Sequence, residues 1–212
     1  MTGINHFETF LLAGILLNLT PGNDTIFILT KSISQGRQAG ILSVLGIATG
    51  SIIHTLFAAF GLSIIIAKSV LLFNIIKYVG AGYIAYIGIK MLLDKSKLDF
   101  TQGNTQTTRN AVIKIYRDAV LTNVLNPKVA MFFIAFLPQF IDPAAKAHVL
   151  PFITLGLTIT TTGTIWCIIL AIFSAEIFSK LRSHEKFSTY LNKTCGAVLV
   201  GLGVKLALTE RK

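Results

Sequence analysis

From Ala39 to Ala67 the chain has no Asp, Glu, Lys or Arg. A helix rises about 1.5 Å per residue and about 20 residues cross the hydrocarbon of a bilayer, so this run is long enough to span one. The rest of the chain agrees. Of its 212 residues, 53% are hydrophobic and 13% charged, and a mean hydropathy of +0.70 excludes a water-soluble globular domain. The 15 Phe against a single Trp, with 17 Gly and 5 Pro, suit helices packed closely in lipid better than a β-barrel. The expected class is all-α, a polytopic membrane bundle.

Six spans are read from the uncharged runs, with five or seven as the alternatives. The first extends from Phe7 to Thr30 and the second from Ala39 to Ala67; the third covers Leu72 to Leu93, with Lys77 near enough to its end to snorkel. The polar stretch from Asp94 to Arg117, with its turn-like Thr101-Gln102-Gly103-Asn104-Thr105, reads as a loop. The fourth span runs from Asp118 to Phe140, the fifth from Val149 to Ala175 and the sixth from Thr194 to Leu208. Six spans of about 20 residues take roughly 120, which leaves room for one membrane domain and no separate soluble one.

Basic residues orient the bundle. The connections after spans one, three and five contain Lys31 and Arg37, then Lys90, Lys95, Lys97, Arg109, Lys114 and Arg117, then Lys180, Arg182, Lys186 and Lys193. The other side has Lys68, Lys77, Lys146, Lys205, Arg211 and Lys212, half as many. The positive-inside rule then places both termini outside the cytoplasm, in the cytoplasmic (inner) membrane. The formal charge of +10 follows from these loops and their attraction to anionic membrane lipid. Nucleic acid, which needs a basic face on a soluble fold, is excluded as a partner. No Lys or Arg precedes Lys31, so the first segment lacks the basic flank of a secretory signal and is expected to stay in the mature protein. Cys167 and Cys195 sit alone in apolar runs and read as small packing residues.

An internal repeat adds topology. Ile87-Gly88-Ile89-Lys90-Met91-Leu92-Leu93, ending span three, matches Leu202-Gly203-Val204-Lys205-Leu206-Ala207-Leu208, ending span six. Leu19-Thr20-Pro21-Gly22 in span one corresponds to Leu125-Asn126-Pro127-Lys128 in span four. A three-helix unit repeated once must invert, because an odd number of crossings turns the second copy over. The result is an inverted 3+3 arrangement, residues 7–93 and 118–208 flanking the loop at 94–117, as found in secondary transporters.

The two prolines interrupt spans one and four. Each removes a donor and frees the carbonyl four residues earlier, here those of Leu17 and Asn123. In lipid such backbone survives only where protein or a polar cavity satisfies it. Pro21 lies ten residues before Lys31 and Pro127 ten after Arg117, roughly 15 Å from the inner surface by helical rise, near the middle of a slab about 30 Å thick. Each break also has an ionisable neighbour, Asp24 and Lys128. A charge at that depth costs about 3 to 10 kcal/mol or more unless paired or hydrated, so the two are expected to be each other's partners. In the functional reading, the helix starting at Gly22-Asn23 directs free N–H groups at a carboxylate and Asp24 engages an amine or a proton. Asn18, Thr20, Asn123 and Asn126 supply hydrogen bonds beside the breaks. In the bland reading the pair only ties spans one and four together.

Weaker signals accompany these. His54, mid-span, is either a proton relay or a hydrogen-bonded packing residue. Thr158, Thr160, Thr161, Thr162 and Thr164 line a polar path or bond back to their own helix, the commoner use. Gly36-x-x-x-Gly40 and Gly46-Ile47-Ala48-Thr49-Gly50 permit close helix approach, within one chain or across a homodimer. The four His, at positions 6, 54, 148 and 184, have no metal-ligand spacing, and phosphate-loop and Ser/His/Asp patterns are missing. No metal, cofactor or enzymatic activity is expected.

Thr20-Pro21-Gly22, Gly36-Arg37-Gln38-Ala39-Gly40, Gly80-Ala81-Gly82-Tyr83 and above all Asn123-Val124-Leu125-Asn126-Pro127-Lys128 running into Phe136-Leu137-Pro138-Gln139-Phe140 together resemble the LysE/RhtB family of amino-acid exporters, over nearly the whole chain. The resemblance implies a six-span inner-membrane carrier that expels amino acids on the proton gradient. Two positions depart from the family pattern. Asn23 stands where a second proline is common, and Gly50-Ser51-Ile52-Ile53-His54 has the uncharged Ser51 where an acid is frequent, which concentrates coupling on Asp24. The alternative to an exporter is a membrane scaffold whose kinks merely shape the bundle.

Overall fold

In a computed structural model the described residues are 3–62, 109–142 and 149–174, with isolated helical positions between 71 and 93 and between 193 and 204. Among them the chain is all-helical: α1 (Phe7–Leu19), α2 (Asn23–Gln35), α3 (Arg37–Phe57), α4 (Arg109–Val124), α5 (Pro127–Met131) and α6 (Val149–Ile172). A π-helical turn, Ala58–Leu62, prolongs α3; a second, Phe132–Phe136, and a 3-10 turn, Leu137–Phe140, prolong α5. Two helical stretches are long and apolar enough to cross a bilayer, Arg37–Leu62 and Val149–Ile172. Two further candidates are broken: α1 with α2, and α4 with the segment Pro127–Phe140, each bent by 47°.

Both bends lie where proline forbids a continuous helix. Thr20, preceding Pro21, turns to φ −67°, ψ 119°, the extended geometry that a following proline imposes, and α1 stops. At the second break Asn126 is extended at φ −74°, ψ 110° and Pro127 opens α5, where its missing N–H costs nothing. Gly36, at φ +85°, ends α2 and lets α3 begin one residue later.

Two apolar clusters hold the bundle. One joins Phe10, Ala13 and Leu17 of α1 to Ala58, Ala59, Phe132, Phe133, Phe136, Phe140 and, on α6, Phe152, Leu155 and Ile159. Phe10 anchors it, its ring centroid 5.3 Å from that of Phe140 and 6.2 Å from that of Phe132. The other joins Ile28 and Leu29 of α2, Val44 and Ile47 of α3, Ala119 of α4, and Cys167, Leu170 and Ala171 of α6. The two breaks fall between the clusters. Outside, large apolar side chains stay uncovered, Leu125 at 75%, Phe57 at 66% and Leu150 at 64%, a surface suited to lipid.

The central helix is α3, packed on α2, α4 and α6. The glycine spacing acts within the chain: a Cβ on Gly40 would meet Ser32 and Ala171, and one on Gly46 would come within 2.6 Å of the Tyr116 carbonyl and the Ala119 methyl. Gly40 and Gly46 therefore supply α3's own contacts.

One boundary is corrected. The polar stretch expected to loop as far as Arg117 is already helical from Arg109. Ala111, Val112, Ile115 and Ala119 repeat at helical spacing, so α4 begins among the basic residues, before the apolar run. The third and sixth expected spans, most of the loop and the matched segments at 87–93 and 202–208 fall largely outside the described residues.

Candidate functional site

The breaks meet. Lys128 Nζ, from the first turn of α5, donates to the carbonyls of Leu17 and Thr20 at the end of α1, both at 3.0 Å. Leu17 O is the acceptor that Pro21 frees. Asn123 O, the acceptor that Pro127 frees, lies 3.3 Å from His54 Nε2; a carbonyl only accepts, so the imidazole donates. Each carbonyl released by a proline accepts a tighter backbone bond, from Thr20 N at 3.2 Å and from Asn126 N at 3.0 Å, and is met besides by a basic side chain from a different helix, so neither is left unsatisfied inside the apolar bundle.

Asp24, in the first turn of α2, reaches across to the second break. Its carboxylate accepts from Asn123 Nδ2 at 2.7 Å and from Asn126 Nδ2 at 3.1 Å. Asn126 serves twice, because its Oδ1 also accepts from Lys128 N at 3.0 Å and caps α5. Asn123, only 1% exposed, is the hub: amide to Asp24, carbonyl to His54, and Oδ1 accepting from Ser51 Oγ at 3.4 Å. Gly50 makes room for it, since a Cβ there would stand 2.6 Å from Asn123 Oδ1. Asp24 thus accepts from two amides, and Lys128 donates to two carbonyls. The contact between the breaks is built of charge-assisted hydrogen bonds.

A cavity of about 80 Å³ opens at this junction, room for several water molecules. Asn18, Thr20, Gly22, Asp24, Asn123, Asn126 and Lys128 line it. Leu17, Val44, Ile47, Phe132, Phe133 and Ile159 give it apolar walls from both clusters. Of the other expected site residues, Pro21, Asn23, Pro127 and His54 do not line it; Asn23 and Pro127 face outward. His54 is buried, its ring stacked on Phe133 with centroids 5.5 Å apart. Asn18 ties α1 to α6 through Thr162 Oγ1 at 3.2 Å and Ile159 O at 3.4 Å. The threonines divide: Thr158 and Thr162 bond back to Thr154 O and Thr158 O, whereas Thr160 and Thr164 line the cavity.

Sequence reading missed Ser51, Trp166 and Cys167 in the lining, and named Thr160 only as one of five threonines that could line a polar path. Ser51 was legible in part, since Val44, Ile47, Ser51 and His54 form one helical stripe. Among the described residues no cluster of His, Cys, Asp and Glu could hold a metal ion.

The chain matches the LysE type translocator family over residues 15–210. It is 32% identical to the Bacillus subtilis (strain 168) protein named "Uncharacterized membrane protein YrhP", across 92% of this chain and 94% of that one. It is 27% identical to the leucine efflux protein of Klebsiella pneumoniae, across 98% and 97% of the two chains. The leucine efflux protein of Salmonella typhimurium is 28% identical, again across 98% and 97%. No solved structure matches. The chain is a multi-pass membrane protein of the LysE type translocator family, a transporter and not an enzyme.

Proposed function

We propose that the chain is a six-span carrier, two inverted three-helix repeats in one domain, that exports amino acids and related small zwitterions from the cytoplasm, with both termini outside. The relatives named for leucine efflux and the aliphatic and aromatic cavity wall make leucine the first substrate to test. The observation that supports this reading best is the carboxylate of Asp24 and the ammonium of Lys128 on the wall of one cavity where two broken helices meet.

In this mechanism Asp24 takes the substrate's ammonium group. Asn123 and Asn126 orient its carboxylate with neutral donors, which hold the anion in place without cancelling its charge. The substrate carboxylate faces Lys128 and the first-turn amides of α2, where no side chain caps the helix and the dipole favours an anion. Val44, Ile47 and Phe132 receive the side chain. Protonation of Asp24 weakens its hold on the ammonium and couples release to the proton gradient. His54 reaches Asp24 only through Asn123, so coupling falls on Asp24 first. A scaffold has less support, because the family is one of translocators.

The test is efflux of labelled leucine from proteoliposomes under an imposed pH gradient. Wild type exports, a protonophore slows it, and Asp24→Asn lowers the rate about a hundredfold, as expected for loss of a charge-assisted contact. Equal efflux from wild type and Asp24→Asn overturns the mechanism.

A further inference from the structure

Two residues that line the cavity each have a buried polar atom with no hydrogen-bond partner among the described residues: Trp166 Nε1 and Thr160 Oγ1. They stand out against their own helix. Thr154, Thr158 and Thr162 each spend the hydroxyl on the carbonyl four residues earlier, at 3.0, 2.8 and 3.0 Å, the default for a threonine in an apolar helix. Thr160 forgoes that bond. An indole N–H only donates, and a buried donor without an acceptor is costly; an acceptor held in the adjoining cavity would satisfy it.

We infer that Trp166 and Thr160 are substrate-binding residues whose donors hold the carboxylate of the exported zwitterion from the α6 side, opposite the break. This rests on the export reading and narrows it to substrates bearing an acceptor anion as well as an ammonium. Asp24 attracts the ammonium and repels the carboxylate, so the carboxylate turns toward donors on another wall. A carboxylate has about four lone-pair sites. It accepts from Trp166 and Thr160 on one side while facing Lys128 and the α2 amides on the other. Ile159 and Phe133 keep this part of the wall apolar, so bulk water competes poorly for the same donors.

The test is equilibrium binding to the purified full-length protein, by calorimetry, of leucine and of 3-methylbutylamine, which is leucine with its carboxylate replaced by hydrogen. Trp166→Phe keeps the ring and removes the N–H; Thr160→Val keeps the shape and removes the hydroxyl. Wild type binds leucine more tightly than the amine. Each variant loses about tenfold in leucine affinity, as a hydrogen bond to a charged group implies, and binds the amine as wild type does. Equal losses for both ligands, or none for either, overturn the inference while leaving export intact. If Trp166→Phe fails to fold, Thr160→Val decides alone. Should wild type bind neither ligand and export nothing, the export reading fails and the carboxylate assignment with it.

Discussion

The two proline breaks reach the same 47° bend by different chemistry. At the first, the chain leaves α1 through Thr20, passes Pro21, and enters α2 from Gly22, which is extended at φ −155° and offers no side chain to cap it. At the second, Asn126 caps α5 with its own side chain, Pro127 occupies the first turn, and the helix continues through π and 3-10 turns packed in the phenylalanine cluster. The first break is thus open, with amides and carbonyls facing the cavity. The second is stapled and supplies the amides and ammonium that hold the first. The difference shows how a symmetric pair of kinks yields an asymmetric site: one break presents backbone and a single carboxylate, the other presents amide and ammonium side chains.

This division can be broken in graded steps. Asn126→Ala removes both the cap of α5 and a donor to Asp24, and should cost about 2 kcal/mol, read as a lower melting temperature in detergent together with slower leucine efflux. Gly50→Ala drives a methyl into Asn123 and should cost about 1 to 2 kcal/mol, the usual penalty of overpacking; a variant as stable as wild type would mean that Asn123 is free to shift. At the open break the effects should be smaller. Thr20→Val loses a hydroxyl that bonds only to Leu16 O at 2.8 Å, an acceptor already served by Thr20 N at 3.1 Å, and should cost about 0.5 kcal/mol. Gly22→Ala places its Cβ 3.5 Å from Lys128 Nζ, an ordinary contact at an extended backbone, and should leave stability within about 0.5 kcal/mol of wild type. If Gly22→Ala proved as damaging as Asn126→Ala in the same melting series, the distinction between an open and a stapled break would be wrong.

What the sequence revealed, and what it withheld, divides along the same physical line. Pro21 and Pro127 act on their own backbone, so both breaks, and even the carbonyls they release, were legible before any coordinates. Asp24 and Lys128 stood out because charge in lipid is expensive. Their partners were not legible, because the pairing of Lys128 with Leu17 O, of His54 with Asn123 O and of Asp24 with two amides depends on how α1, α3 and α4 approach. Gly46 and Gly50 set that approach for α3 and α4, and their spacing fits packing within a chain as well as between chains. The start of α4 at Arg109 was hidden by its charges, which mask the apolar period beneath. Trp166 looked like an ordinary member of an apolar span and Thr160 like one threonine of five, and only the missing bonds of their polar atoms set them apart.

The most direct measurement is a double-mutant cycle on leucine efflux with Asp24→Asn, Lys128→Met and the two combined. If each charge handles the substrate, both single variants lose export and the neutral double variant stays inactive. If the charges only brace the bundle, each through its own partners, Asp24 on two amides and Lys128 on two carbonyls, the variants lower the melting temperature and the efflux rate per folded molecule stays at the wild-type value. Wild-type efflux from the folded double variant would contradict a substrate site at the junction of the breaks.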